Sequence, residues 1–440
     1  MTQFSDLGLS EVLLRALQQE GYVHPTPIQA QAIPSLLQGR DLLGIAQTGT
    51  GKTAAFALPI LNRLLHDKQR PAPRSVRALV LAPTRELAVQ ITESFRTYGR
   101  FGHLSVATVV GGVSSVGQIK ALARGVDILV ATPGRLLDHL STGNVRLDMT
   151  QVVVLDEADH MLDLGFIIPI RQIISRMPKE RQSLFFSATM PKEIAGLAAD
   201  FLRDPVEVKV TPVAATAERV AQEVYLVDAA AKRSLLVELL AQPAFQRTIV
   251  FARTKHGADK VTQHLEAAGI PSAAIHGNKS QGQRQRALDA FRAGRTKVLV
   301  ATDIAARGID VDAVTHVVNF ELPDVPETYV HRIGRTARAG AEGIAVSLCD
   351  DSEKHLLRAI EKLTRQTLSV TDRRTPGVHR AEPADRQRQR PNSHEQKRHP
   401  QRANHRGAPQ AKPGQAARPT KRPAFRGRPR RNADAGQPAN

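Results

Sequence analysis

Cysteine is nearly missing from this chain of 440 residues, which holds only Cys349. One thiol closes no internal disulfide and supplies no thiolate metal cluster. Its setting, Ala345-Val346-Ser347-Leu348-Cys349, suits a small core residue. No apolar run approaches the roughly 18 residues that cross a bilayer, so no membrane partner is expected. The start, Met1-Thr2-Gln3-Phe4-Ser5-Asp6, has neither the basic head nor the apolar core of a secretory leader. These absences lead to the expectation of a cytoplasmic protein in a compartment that is reducing or indifferent to redox state.

Acids are the next scarcity, and it is local. The chain carries 61 Lys and Arg against 42 Asp and Glu, a formal charge of +19. From Thr371 onward there are 18 basic and 5 acidic residues, so most of the excess sits in the last segment. Pro, Arg, Gln, Ala, Asn, Gly and His dominate there, and Phe425 is the one aromatic residue. Too little apolar area can be buried to offset chain entropy, so residues 371–440 are expected to be disordered. A basic tail on a mildly basic body points to a polyanion, nucleic acid before membrane, because amphipathic spacing and apolar anchors are missing.

The length calls for two or three domains. Short apolar runs alternate with helix-like segments twice over, from about Leu36 to Val210 and again from Glu223 to Leu348. Alternating β and α elements imply parallel sheets covered on both faces. The expected fold class is α/β, with two tandem doubly wound parallel-sheet domains, 1–208 and 219–370. A linker at 209–218 joins them, and the basic tail follows.

Two motifs carry chemistry in the first half. Val152-Val153-Val154-Leu155 ends in Asp156-Glu157-Ala158-Asp159, so a buried parallel strand would deliver acids to its carboxyl end. Ligands sit at that end in open α/β sheets. There Asp156 can hold the Mg²⁺ of a nucleoside triphosphate, and Glu157 can orient the attacking water. Taken alone, the four residues fit a solvated acidic turn equally well. Upstream, Leu42-Leu43-Gly44-Ile45 leads into Ala46-Gln47-Thr48-Gly49-Thr50-Gly51-Lys52-Thr53 and then a helix-like run. That is the strand–loop–helix setting of a phosphate-binding loop. The N–H groups of Gln47 to Gly51 would turn around phosphate oxygens, Lys52 would reach the β- and γ-phosphates, and Thr53 would ligate Mg²⁺. Ala46 stands where the general pattern has Gly, which puts the tightness of the first turn in question. In the second half, His331-Arg332-Ile333-Gly334-Arg335-Thr336-Ala337-Arg338 can present planar donors to phosphate charge. Two domains closing on one nucleotide, each supplying half a site, is the arrangement these motifs suggest.

Residues 1 to about 368 resemble the DEAD-box RNA helicases, most nearly the bacterial RhlE-type subgroup, because about a dozen motifs occur in the family's order. The resemblance implies two RecA-like domains and ATP-driven, local RNA unwinding. It makes Gly21-Tyr22-Val23-His24-Pro25-Thr26-Pro27-Ile28-Gln29 an adenine-reading segment, with Gln29 on the base edge and Phe4 stacking on the ring. It gives RNA-backbone contacts to Arg85, Gly112, Thr132 and Arg135 of the first domain, and to Arg284 and Thr302 of the second. Asp310 becomes a ribose contact, and Arg335 and Arg338 become arginine fingers. Coupling falls to Ser187, Thr189 and Asp159, and to His331 and Arg332 at the domain interface and phosphate side. ATP and Mg²⁺ are the implied substrate and metal. RNA read without sequence preference is the implied partner, with ribosomal precursors or decay machinery beyond it and a monomeric core. An ATP-gated RNA clamp or annealing protein dominated by its tail is the rival reading, and the bare residues leave a DNA helicase open.

Overall fold

In the computed structural model the described residues are 2–47, 49–67, 69–210, 220–306, 313–337 and 343–375. Seven strands form the first sheet: β1 Leu42–Ala46, β2 Val76–Leu81, β3 Val106–Val109, β4 Val126–Ala131, β5 Val152–Leu155, β6 Gln182–Ser187 and β7 Val206–Val210. Seven more form the second: β8 Val220–Leu226, β9 Thr248–Phe251, β10 Ser272–Ile275, β11 Val298–Ala301, β12 His316–Asn319, β13 Gly343–Cys349 and β14 Ser369–Asp372. The orders are β3-β4-β2-β5-β6-β1-β7 and β10-β11-β9-β12-β13-β8-β14. All pairings are parallel. Numbered within its own sheet, each order is the same, so the chain repeats one RecA-like lobe.

Period-two alternation explains how each lobe covers both faces of its sheet. On β2, Ala78 and Val80 enter one apolar cluster while Leu79 and Leu81 enter the other. On β6, Leu184 and Phe186 face the first cluster and Phe185 the second. In the second lobe Val250 and Val300 lie on one side, Ile249, Phe251 and Leu299 on the other. Every residue of β2, β4, β5 and β6 is buried, as parallel strands under two helical layers require. Among the described residues no helix is long and apolar enough to cross a membrane.

Two sequence expectations need correction. Lys209 and Val210, assigned to the linker, are the end of β7 and pair with Ile45 and Ala46. The expected disorder from Thr371 fails for its first residues, since Thr371 and Asp372 complete β14 opposite Tyr225 and Leu226. Beyond it Arg373 N–H donates to Leu226 O at 2.8 Å, Arg374 pairs with Asp351 at 3.0 Å, and the Thr375 hydroxyl donates to Asp228 at 2.8 Å. Both strands are edges; β14 is exposed throughout, and in β7 Val208 alone is buried. They are held by ladder hydrogen bonds, so no apolar run announces them. Residues 211–218 and 376–440 lie outside the described residues.

Candidate functional site: a cavity between two lobes

The turn after β1 is built on glycine. Gly49 and Gly51 adopt φ of 82° and 93°, the left-handed region that a side chain disfavours. A Cβ on Gly51 would also lie 2.4 Å from Gln29 Nε2 and 2.9 Å from Thr26 Oγ1. Ala46 ends β1 at 2% exposure and is not among the left-handed residues, so its methyl costs the turn nothing. The Thr50 hydroxyl closes the loop by donating to Gln47 O at 2.8 Å. Thr48 lies outside the described residues.

Gln29 braces this loop. Its Oε1 accepts from Thr26 N at 2.9 Å in a capping box, and its Nε2 donates to Gly51 O at 3.1 Å. One amide hydrogen remains for a ligand. Phe4 is 4% exposed, with its ring 6.4 Å from that of Tyr22, and packs on the first lobe's apolar cluster.

Helix Lys52–His66 starts at the loop and buries Lys52 to 6% exposure. Lys52 Nζ stands 3.9 Å from Asp156 Oδ1 and has no hydrogen-bond partner among the described residues. A buried ammonium without acceptors is costly. The oxygens of a polyphosphate would satisfy it, and Thr53, half-buried, stands next to it on the helix.

β5 delivers the acids as its apolar pattern requires. Asp156 N donates to Leu81 O at 3.0 Å, which holds the strand end in the sheet. Glu157 takes φ 53° and ψ 54°, strained for a non-glycine residue and of the kind that clusters at functional sites. Burial pushes the Asp156 carboxyl up, against the pull of Lys52. For Glu157 burial acts the same way but is outweighed by the hydrogen bond from His160 and the charges of Lys52 and Arg335, so its carboxyl is held down. Two neighbouring acids are thus driven apart. Among the described residues no group of three or more His, Cys, Asp or Glu could hold a metal by itself. One carboxylate (Asp156) and one hydroxyl (Thr53) match Mg²⁺, which takes a few hard protein ligands beside substrate phosphates.

Asp159 joins this segment to the end of β6. Its Oδ2 accepts from Thr189 N and Oγ1, both at 3.0 Å, and its N–H donates to Ser187 Oγ at 3.3 Å. The Ser187 hydroxyl donates on to Thr189 O at 2.7 Å. All three proposed coupling residues of the first lobe therefore form one network. His160, which the sequence reading passed over, is 2% exposed with Nδ1 3.4 Å from Glu157 Oε2. Its place three residues after Glu157, on the helix Ala158–Asp163, was the available signal.

The second lobe closes the cavity. Lys52, Glu157, Asp159, His160 and Ala188 line it from one side, His331 and Arg335 from the other. Arg335 is 5% exposed and its Nε donates to His331 O at 3.2 Å. Asp310 and Arg338 lie outside the described residues. Arg332 corrects an expectation. Rather than serving the interface or a phosphate, it is 1% exposed, with Nε and Nη2 on the Asp303 carboxylate at 2.5 and 2.8 Å. Its Nη1 donates to Asn319 Oδ1 at 3.2 Å and Glu321 O at 2.6 Å, and its guanidinium lies 5.1 Å above Phe251. A guanidinium with donors so occupied is an internal tie of the second lobe.

A second cavity, of about 340 Å³, takes in Arg85, Thr132, Arg135 and Arg284 together with Gly111 and Phe166. Arg85 lies over the glycine pair, where a Cβ on Gly112 would come 1.9 Å from its Nη1. Burial, then the charge of Arg284, lowers the guanidinium pKa of Arg85. Arg135 donates to Val113 O at 3.2 Å. Thr132 stands just before helix Pro133–Ser141 without a side-chain capping bond, its N–H on Val109 O at 3.0 Å. Thr302 follows β11 half-buried, its N–H on Ile275 O at 3.3 Å, and is not in this lining. The lobes touch here directly. Glu86 accepts from Gln281 Nε2 at 3.1 Å and from Arg284 Nη2 at 2.9 Å, and Arg85 Nη1 donates to Gln281 Oε1 at 3.3 Å.

Residues 26–197 match the family model described as DEAD/DEAH box helicase, and residues 231–340 match that of the helicase conserved C-terminal domain. The chain is 45% identical over 367 residues to the ATP-dependent RNA helicase DeaD of Mycobacterium tuberculosis, a match covering 83% of this chain and 64% of that protein. It thus spans less than two thirds of that relative's length. It is 44% identical to the ATP-dependent RNA helicase RhlB of Pseudomonas syringae, over 86% of this chain and 96% of that one. Among solved structures, S. cerevisiae Dbp5 bound to RNA and ADP BeF3 superposes with a TM-score of 0.76 at 32% identity, covering 84% of this chain and 96% of that chain.

Proposed function

The chain belongs to the DEAD-box family of ATP-dependent RNA helicases, and on that footing we propose that it is an RNA-dependent ATPase that parts short RNA duplexes and remodels RNA–protein complexes by closing its two lobes. The observation that carries this reading is that Lys52 and Glu157 of the first lobe and Arg335 of the second line one cavity. ATP would lie along the loop Gln47 to Gly51, with Lys52 and Thr53 at its phosphates and Gln29 at the base edge. Phe4 as a stacking ring and Asp310 as a ribose contact belong to the same reading. Mg²⁺, when bound by Asp156 and Thr53, would neutralise developing phosphate charge. Glu157 orients the attacking water and receives its proton. Arg335, joined by Arg338, steadies charge on the transferring phosphoryl group, a contribution that reaches several orders of magnitude where such arginines act. The network of Asp159, Ser187 and Thr189 relays a shift at the acids to the first lobe's next loop. Arg85, Gly112, Thr132, Arg135, Arg284 and Thr302 hold RNA by its backbone, so little sequence preference follows. The Dbp5 structure cited above holds RNA and ADP BeF3, which supports reading the closed lobes as the RNA- and nucleotide-bound arrangement.

Membership of the RhlE-type subgroup, a cytoplasmic setting, a monomeric core and work on ribosomal precursors or in RNA decay are finer parts of this proposal, resting on the motif resemblance. The charge of residues 371–440 favours one further element, an electrostatic RNA anchor with steep salt dependence. The test is ATPase activity with matched single-stranded RNA and DNA. RNA should stimulate turnover, and stimulation by DNA alone would overturn the assignment. Removing residues 376–440 separates helicase from clamp. The helicase reading expects ATPase and unwinding to persist with weaker RNA affinity, whereas loss of both would favour the clamp.

A further inference from the structure

The lytic acid of this site is poorly held by its own backbone. Glu157 sits in the left-handed region, and among the described residues the one hydrogen bond reaching its carboxylate comes from His160 Nδ1, at 3.4 Å. Long contacts of this kind tighten when substrate arrives. With Nδ1–H facing a carboxylate oxygen, the neutral ring has Nε2 as a lone-pair acceptor. Nε2 is buried and has no partner among the described residues, and His160 lines the same cavity as Lys52, Glu157 and Arg335. A buried acceptor in a polar cavity is normally satisfied by water.

We propose that His160 is a positioning residue of the hydrolytic centre: its Nδ1–H fixes the Glu157 carboxylate toward the attacking water, and an ordered water on Nε2 locks the ring in that tautomer. The inference rests on the proposed role of Glu157. His160 acts through Glu157 and contributes nothing to nucleotide or RNA binding, so its effect falls on turnover alone. The packing around it is a separate matter, and side-chain geometry separates the two. An Asn at 160 can place its Nδ2 donor near the position of Nδ1, a Gln places its donor near Nε2, and a Leu fills the space with no donor.

The experiment measures RNA-stimulated ATPase, ATP KM and RNA half-saturation for H160L, H160N and H160Q, alone and combined with E157Q. H160L should lower kcat by about tenfold, with KM and RNA half-saturation unchanged, the pattern of an interaction made in the transition state. H160N should regain most of that loss and H160Q should not. In the E157Q background H160L should cost nothing further. The inference is overturned if H160L turns over at the wild-type rate, if H160N is as slow as H160L, if H160Q recovers as well as H160N, or if the loss appears in KM. Failure of the underlying reading looks different: E157Q itself would keep full turnover.

Discussion

Replacing Glu86 by Ala tests how the lobes are held together. Glu86 is 5% exposed and accepts from Gln281 at 3.1 Å and from Arg284 at 2.9 Å. Breaking a buried pair inside one domain would cost about 3–5 kcal/mol of stability, because the abandoned charge stays buried. This pair spans two lobes, so parting them rehydrates Arg284 and the cost moves from folding to closure. Hydrogen bonds to charged groups contribute roughly 1.5–3 kcal/mol each. Two such bonds are lost, roughly 3–6 kcal/mol together, so closure should weaken by about a hundredfold to ten-thousandfold. Fluorescence energy transfer between labels on the two lobes, with RNA and a non-hydrolysable ATP analogue, reads that equilibrium. A thermal melt should move by less than about 2 °C, since 1 kcal/mol within a lobe of this size moves it by roughly 2–4 °C. A melt several degrees lower with closure unchanged would refute the reasoning.

Gly112→Ala should weaken RNA binding while sparing ATP binding, because φ is +72° and the new methyl displaces the Arg85 guanidinium; equal RNA affinity in a titration would contradict this. Arg332→Leu should destabilise the second lobe by about 3–5 kcal/mol in denaturant unfolding, since the Asp303 carboxylate loses its bidentate partner. A stable variant lacking only ATPase would restore Arg332 to the phosphate side. Burial pushes the Cys349 thiol up to about 12, so at pH 8 the thiol form dominates. Thiol reagents should leave the native protein unmodified and label it only after unfolding.

Sequence pattern exposed what local chemistry determines. β1 and β5 are apolar runs that end in a glycine turn and in two acids, and the structure sets both at the carboxyl end of one parallel sheet. The buried strands of both lobes were legible for the same reason. The edge strands β7 and β14 were not, because they bury one side chain between them, Val208, and are held by ladder hydrogen bonds. Arg332 resembled its neighbours in a basic run, yet Asp303, 29 residues away, turns it into an internal tie. Glu86 stood inside a recognised motif, but its partner Arg284 lies 198 residues along the chain. Long-range pairings of single charges leave no periodicity to read. His160 stands at i+3 from Glu157 on a helix, a spacing the sequence displays by itself.

That Glu157 and Arg335 make one hydrolytic site from two lobes is tested most directly by single-turnover ATP hydrolysis of Arg335→Ala at saturating RNA. Hydrolysis should slow by about a thousandfold or more, the scale of a lost arginine finger, while ATP binding by the first lobe stays within a few-fold. Hydrolysis within tenfold of the unaltered protein would contradict a site shared between the lobes.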